Sequence, residues 1–180
     1  MNQATLKVSL RAMEPEDLDL LYRIENDKTL WDIGATNVPY SRYTLHEYIS
    51  QTCGDIYTDR QVRLMIDNEE GETVGIADIV RFDPKHKRAE VGLVVERPYR
   101  RRGYASAALL QLCDYALHQL HLHQLYALIA AKNLPSQDLF CKAGFRKTSV
   151  LTDWLYDGQD YQDAFLMQYL LVSDAETRSK

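Results

Sequence analysis

The sequence is poor in the residues and segments on which several protein classes depend. Its 180 residues include three cysteines, five prolines and eight glycines. Cys53, Cys113 and Cys141 are odd in number and have no CxxC spacing, which argues against a disulfide scaffold or a cysteine-bound metal. The longest apolar run, 125–131, has seven residues, whereas a bilayer span needs roughly 18. We therefore expect reduced cysteines packed in a core and no membrane-crossing segment.

Composition and length indicate one folded domain. Hydrophobic residues make up 46% of the chain and charged residues 26%, which is average for a globular protein. The length fits a single domain, expected over 1–172, followed by a polar tail over 173–180. Residues 1–7 have no apolar segment of the signal-peptide kind, so we expect a cytoplasmic protein.

The charge is unevenly distributed along the chain. The net charge is -5, but the segment 85–102 holds seven basic residues and only two acidic ones. A basic segment in an otherwise acidic chain favours a compact anionic ligand, such as a phosphorylated cofactor, over a long nucleic acid. A solvated, charged loop with no ligand is the other interpretation that charge alone allows.

Hydrophobic periodicity predicts a mixed α/β sheet with helices on its faces. The predicted strands lie near 10–11 and over 62–66, 73–82, 88–95, 125–131, 147–156 and 161–171. Helices are predicted from Pro15, after Ser41 as N-cap, from Ala105 and over 137–143, and residues 30–40 are predicted as a loop. The short connections within 62–95 predict an antiparallel meander, because parallel strands would need longer crossovers.

The sharpest motif is Arg100-Arg101-Arg102-Gly103-Tyr104-Ala105, between a predicted strand and a predicted helix. Backbone N–H groups at a helix N-terminus are unpaired and attract anions. Gly103 lets an anion approach the backbone, and the arginines add charged donors. The segment predicts a pyrophosphate site. It is neither a P-loop nor a GxGxxG fingerprint.

This pattern, with Arg100, Gly103 and Ala105, resembles the Arg/Gln-x-x-Gly-x-Gly/Ala motif of the GNAT N-acetyltransferases. Other segments resemble the branch that contains ribosomal-protein N-terminal acetyltransferases and spermidine acetyltransferases: 10–12, 17–18, 88–92, Asn133, 142–145 and 157–161. The resemblance implies a single GNAT domain with a mixed, mostly antiparallel sheet, helices on both faces, and a splayed strand pair at the cofactor cleft.

The resemblance also implies that acetyl-CoA is the cosubstrate and that no metal takes part. The residues that it assigns to cofactor binding are Leu93, Val94, Val95, Arg100, Arg101, Arg102, Gly103, Tyr104, Ala105, Ser106, Asn133 and Phe140. Most of these roles belong to the backbone: strand 93–95 would pair with the pantetheine arm, and 100–106 would bind the pyrophosphate.

Two interpretations of Glu90 remain open. Direct attack of an amine on the acetyl carbon requires a base that takes a proton from the ammonium ion. Glu90 is the acid inside strand 88–95 and matches a family position proposed as that base, usually acting through water. Alternation would place it with Gly92 and Val94 on one face. The other interpretation is a solvated carboxylate paired with Arg88 or a neighbouring lysine.

Phe140 departs from the family pattern. Its position usually carries a tyrosine whose hydroxyl protonates the leaving thiolate, and phenylalanine has no proton to donate. Water could protonate the thiolate, another hydroxyl could substitute, or the protein could bind acyl-CoA without efficient transfer.

The helix–loop–helix region that shapes the acceptor site in this family contains aromatic and acidic side chains. Trp31, Tyr40 and Glu25 are the predicted substrate-binding residues; Tyr43, Asp27 and Asp32 lie in the same region. Aromatic walls and carboxylates suit a cation, although ordinary loop packing explains the same pattern.

We therefore expect an acetyl-CoA-dependent N-acetyltransferase acting on a polyamine-like cation or a peptide N-terminus. The alternative from another class is a catalytically weak or inactive acyl-CoA-binding regulatory module; a more distant one is an RNA-associated protein. We expect neither nucleic-acid nor membrane partners, and a homodimer or higher homo-oligomer is left open.

Overall fold

Seven strands form one mixed sheet in this computed structural model, which describes residues 6–31, 38–52 and 54–171. The strands are β1 (Ser9–Ala12), β2 (Val62–Asp67), β3 (Thr73–Asp83), β4 (Arg88–Val95), β5 (Gln124–Ala130), β6 (Arg146–Tyr156) and β7 (Tyr161–Leu170). Their order is β1-β2-β3-β4-β5-β7-β6, and every neighbouring pair is antiparallel except β4 and β5. The predicted meander and mixed sheet are confirmed.

The helices flank this sheet. They are α1 (Leu18–Glu25), α2 (Lys28–Trp31), α3 (Arg42–Gln51), α4 (Ile56–Asp59), α5 (Tyr104–His118) and α6 (Leu134–Lys142), with single 3-10 turns at Pro15–Asp17 and Arg97–Tyr99. In the part of the chain described, no helix is long and apolar enough to cross a bilayer.

Two apolar clusters lie on opposite faces of the sheet. Leu20 and Ile24 of α1 pack with Met65 and Ile76. The next residues along the two strands, Ile66 and Ala77, belong to the cluster of α5 and α6. Because successive strand residues point to opposite faces, helices cover both faces, as expected. We call the two sides the α1 face and the α5 face.

Several predicted boundaries are confirmed and others are wrong. The strand at 88–95 and the Ser41 cap are confirmed; Ser41 Oγ accepts a hydrogen bond from the Thr44 N–H at 3.0 Å. The predicted loop at 30–40 is wrong at its start, because α2 extends to Trp31. Residues 32–37 lie outside the described part. The helix predicted at 137 begins at Leu134, since Pro135 fits a first helical turn.

The cysteines differ in environment. Cys113 is buried as expected, and burial raises the pKa of its thiol to about 12. The expectation that Cys141 packs in the core is wrong, because it is exposed on α6. Cys53 lies outside the described residues, as does the tail expected over 173–180.

Candidate active site

Strands β4 and β5 separate part of the way along their length. They pair in parallel over three residue pairs, from Arg88–Gln124 to Glu90–Tyr126. Beyond this point β4 stays paired with β3 as far as Val95, while β5 continues alongside β7. We call the opening between the diverging strands the fork. The splayed pair expected from the resemblance is therefore present, and Leu93, Val94 and Val95 line its β4 side.

The open end of the fork is where the two parallel strands end and two helices begin. After β4, a 3-10 turn leads to α5, whose N-cap is Gly103 in the left-handed region with φ 97°. Arg101 is also left-handed, with φ 64°. The first intrahelical bond runs from the Ala107 N–H to the Gly103 carbonyl at 3.1 Å. The N–H groups of Tyr104, Ala105 and Ser106 therefore have no acceptor within the helix.

The three arginines of this loop have different neighbours. Arg100 Nε donates to the Val95 carbonyl oxygen at 2.8 Å, which ties the loop to the end of β4. The Arg102 guanidinium lies over the Tyr99 ring at 5.8 Å, and Tyr99 packs edge-on against the buried Tyr104. The side chain of Tyr104 is thus a core residue, so only its backbone is available to a ligand.

A Cβ atom at Gly103 would have no described atom within 4 Å. The space above the helix start is therefore open to a ligand, in line with the predicted anion site.

Asn133 follows β5 at the same end of the fork. Its Oδ1 accepts a hydrogen bond from the Ser136 N–H at 3.2 Å and caps α6. Phe140, on α6, is only 4% exposed and packs edge-on against Phe145 at 4.9 Å. Phe140 is thus a packed part of the α5-face core.

Glu90 belongs to the last residue pair before the fork, opposite Tyr126 on β5 and Val80 on β3. Its side chain is 18% exposed and forms an ion pair with Arg81. Burial raises the pKa of the Glu90 carboxyl, and Arg81 opposes that rise. The partner suggested from the sequence, Arg88, is wrong, because Arg88 faces Asp83 at 3.5 Å.

A second polar cluster lies on the α1 face beside the fork. The Arg63 guanidinium donates two hydrogen bonds to Asp78, at 2.7 and 2.9 Å, and a third to Glu25 at 2.5 Å. Although burial works against its charge, these two carboxylates hold the pKa of Arg63 above its ordinary value. The predicted acceptor residue Glu25 is therefore one of two acids that share a single cation.

The other predicted acceptor residues that the structure describes have partners of their own. Tyr40 is half-buried, and its N–H donates to Asn26 Oδ1 at 2.9 Å. Trp31 ends α2, but its side chain lies outside the described part of the chain, as does Asp32. Tyr43 is exposed and donates to Glu47 at 2.8 Å, and Asp27 pairs with Arg97 at 3.4 Å.

Sequence reasoning missed Arg81, Arg63 and Tyr126. Arg63 and Arg81 are cations within mostly apolar strands, and Tyr126 lies in the apolar run 125–131. These signals mark positions but name no partners. Within the described residues, no three His, Cys, Asp or Glu side chains are close enough to hold a metal ion.

A family model of the acetyltransferase (GNAT) domain matches residues 7–146. Spermidine N(1)-acetyltransferase of Escherichia coli (strain K12) is 24% identical over 164 residues, which cover 89% of this chain and 84% of that protein. YdaF of Bacillus subtilis (strain 168), named for ribosomal N-acetylation, is 27% identical over 172 residues, covering 92% and 91%.

Among solved structures, spermidine N-acetyltransferase from Vibrio cholerae in complex with CoA and spermine superposes with a TM-score of 0.82. The identity is 22%, and the match covers 91% of this chain and 95% of that one. This likeness concerns the fold. Because the family model spans well over half of the residues, the chain belongs to the acetyltransferase (GNAT) domain family.

Proposed function

We propose that the protein transfers an acetyl group from acetyl-CoA to the primary amine of a small, polyamine-like cation. The observation that carries the proposal is the fork between β4 and β5, which opens beside the N-terminus of α5. A cleft with an unpaired strand edge and a helix N-terminus at one end suits a ligand that has amides along its length and a diphosphate at its end.

The binding residues follow from this arrangement. The backbone of Leu93, Val94 and Val95 lines one side of the fork and would pair with the pantetheine amides. The N–H groups of Tyr104, Ala105 and Ser106, with the Arg101 and Arg102 side chains, would hold the diphosphate. Arg100 keeps the loop attached to β4, and the carboxamide nitrogen of Asn133 is available to the pantetheine arm.

Acetyl-CoA supplies the acetyl group as a reactive thioester, and the chain must manage the proton. A C–N bond forms as the C–S bond breaks, and the ammonium proton must be accepted. We assign that role to Glu90, acting through water at the closed end of the fork. Burial raises the pKa of the Glu90 carboxyl above its ordinary value, and a raised pKa makes a carboxylate a better base. The thiolate takes its proton from water, since Phe140 has none to give.

The acceptor is proposed to be a cation. The Arg63 cluster on the α1 face holds two carboxylates, Glu25 and Asp78, and carboxylates attract a cationic amine. Glu25 belongs to this cluster, and Tyr40 and Trp31 are proposed to line the same side. The E. coli relative is named for spermidine, and the V. cholerae structure is a complex with spermine. These names favour a polyamine over a peptide N-terminus.

A homo-oligomer in the cytoplasm is part of the proposal. The V. cholerae enzyme, at 22% identity and a TM-score of 0.77, has a dodecameric structure. Strand β6 lies at the sheet edge, with Val150 and Trp154 exposed. Exposed apolar residues on a sheet edge favour pairing with another chain.

The experiment is thiol release from acetyl-CoA with a panel of amines: spermidine, spermine, putrescine, lysine and a peptide with a free N-terminus. We expect turnover with the polyamines at the highest kcat/KM. Turnover with the peptide alone would overturn the acceptor class. Clear binding of acetyl-CoA without turnover for any amine would favour the non-catalytic acyl-CoA-binding module, which the missing tyrosine at Phe140 suggests.

A further inference from the structure

Arg81 occupies an irregular position in β3. The pairing of β3 with β4 is regular as far as Val80–Glu90 and then shifts before Asp83–Arg88. Arg81 lies in this bulge with φ 51°. A left-handed backbone is uncommon for a residue with a side chain and often accompanies a functional role.

The bulge redirects the Arg81 side chain. Val80 and Glu90 are cross-strand partners and therefore point to the same face of the sheet. In a regular strand, Arg81 would point to the opposite face from its neighbour Val80. Because a bulge re-aims side chains, the guanidinium of Arg81 instead reaches Glu90 and forms an ion pair with it.

The two partners differ in exposure. The Glu90 side chain is 18% exposed, whereas that of Arg81 is 63% exposed. The carboxylate is thus partly removed from water, and a single cation at the surface compensates its charge. Burial raises the pKa of Glu90 and Arg81 lowers it, so the two effects oppose each other at the closed end of the fork.

Other charged or titratable groups face the same region. They are Tyr126 on β5, Arg88 on β4, Asp78 on β3 and Glu25 on α1. Burial and the charge of Glu90 raise the pKa of Tyr126, and Arg81 opposes that change too. Arg88 is turned to Asp83, and Asp78 and Glu25 are bound by Arg63. Among the described residues, Arg81 is therefore the cation in contact with Glu90.

We propose that Arg81 is a positioning residue for acetyl transfer: it fixes the Glu90 carboxylate at the closed end of the fork and keeps it in its charged, proton-accepting form. This inference rests on the proposed function, in which Glu90 is the base. Arg81 acts through Glu90 and need not touch either substrate. Its loss should therefore alter the pH dependence of the reaction and leave the binding of acetyl-CoA unchanged.

The first test compares Arg81→Gln and Arg81→Lys with a matched control, Arg88→Gln. The control removes Arg88, a cation on the same face of β4 as Glu90. Arg88 pairs with Asp83 and does not contact Glu90. In Arg81→Gln, the acidic limb of the plot of kcat/KM against pH should move to higher pH by about one unit. The reason is that no cation then opposes the effect of burial on Glu90. Arg81→Lys should restore most of the wild-type profile, and Arg88→Gln should leave it in place.

Two results would overturn the inference. An unchanged profile in a folded Arg81→Gln protein would make the ion pair merely structural. A lower KM for the amine with an unshifted acidic limb would mean that Arg81 competes with the acceptor cation for Glu90.

The second test does not need activity. The side-chain carboxyl carbon of Glu90 is followed by NMR titration in the free protein, with Glu90→Gln to assign the signal. Its midpoint should rise in Arg81→Gln and stay near the wild-type value in Arg88→Gln. A shifted midpoint in a protein that acetylates no amine would overturn the proposed function and leave the Arg81–Glu90 coupling standing. An unshifted midpoint in an active enzyme would overturn the coupling alone.

Discussion

Asp17 is a buried carboxylate that joins the end of β1 to the start of α1. It accepts hydrogen bonds from Arg11 Nη1 at 2.7 Å, from Arg11 Nη2 at 2.8 Å, and from the Glu14 N–H at 2.8 Å. We expect Asp17→Asn to lower the free energy of unfolding by about 2 kcal/mol, because Arg11 loses a charged acceptor. Urea unfolding measures this, with the exposed Asp138→Asn as control.

The ion pair between Arg11 and Asp17 also predicts how the stability of the fold depends on pH. Burial alone would raise the pKa of Asp17, but the bonds from Arg11 and Glu14 hold it below the ordinary value of 3.8. A lowered pKa stabilises the folded state above that ordinary value, and the contribution is lost as the pH falls through the folded pKa. Wild type and Asp17→Asn should therefore converge in stability in strong acid. A difference in unfolding free energy between the two proteins that stayed constant down to the lowest pH would contradict this role of Asp17.

Phe140 tests whether a hydroxyl at the family's tyrosine position can take part in the reaction. We expect Phe140→Tyr to preserve or raise kcat, since a phenol there would supply a proton to the leaving thiolate. Phe145→Tyr is the matched control: it alters the ring that packs on Phe140 and is itself 2% exposed. Burying that hydroxyl without a partner should cost about 2 kcal/mol of stability. A large loss of kcat in Phe140→Tyr, with the fold intact, would show that the position only packs.

At the scale of single residues, the sequence predicted local backbone geometry better than pairs of side chains. Gly103 was identifiable because a glycine before a helix has a local signature. The partner of Glu90 was not, because Arg81 reaches it only through a bulge. Nothing in the order of residues marks a one-residue change in register between β3 and β4.

Among the elements, periodic segments were predicted within a few residues and single turns were not. Strand β4 was predicted with its bounds, and α5 begins one residue before the predicted start. The four-residue helices α2 and α4 were missed, since one turn is too short to display a period. For this reason the predicted loop at 30–40 was wrong at its start, where α2 extends to Trp31.

Gly75 on β3 and Gly92 on β4, the strand that borders the fork, differ in the space around them. A Cβ at Gly75 would lie 2.2 Å from the Val94 carbonyl oxygen, whereas one at Gly92 would meet no described atom within 4 Å. Gly75→Ala must therefore push β3 from β4, and we expect a loss of about 2 kcal/mol of stability. Gly92→Ala should fold normally. It should raise the KM for the amine, because Gly92 lies on the same face of β4 as Glu90 and the added methyl group would occupy space there.

Thermal unfolding measures the stability of both variants, and steady-state kinetics measures the KM for the amine. Equal stability losses in the two variants would refute the strand contact as the cause.

The start of α5 carries the prediction about anion binding. Gly103 and Gly158 both have φ 97° and open space at the Cβ position, so glutamate introduces similar backbone strain at either site. Only Gly103→Glu places a carboxylate at the α5 N-terminus. We expect calorimetry to detect no acetyl-CoA binding to Gly103→Glu and near-normal affinity for Gly158→Glu. If the two variants bound acetyl-CoA with equal affinity, the diphosphate would have to bind at a place other than the start of α5.

For the whole molecule, the main feature is a sheet made of two parts. Strands β1–β4 and the group β5, β7 and β6 are joined directly by only three residue pairs. Local patterns cannot indicate where two parallel strands separate, because each strand is regular on its own. The resemblance supplied that expectation, and the strand pairing confirms it.

The most direct test is a crystal structure with coenzyme A. The account predicts that the pantetheine arm lies in the fork, paired with the backbone of Leu93–Val95. It also predicts that the diphosphate lies against the N–H groups of residues 104–106, with the thiol directed towards Glu90. Coenzyme A bound at another surface, or strands β4 and β5 paired along their full length with no gap, would contradict it.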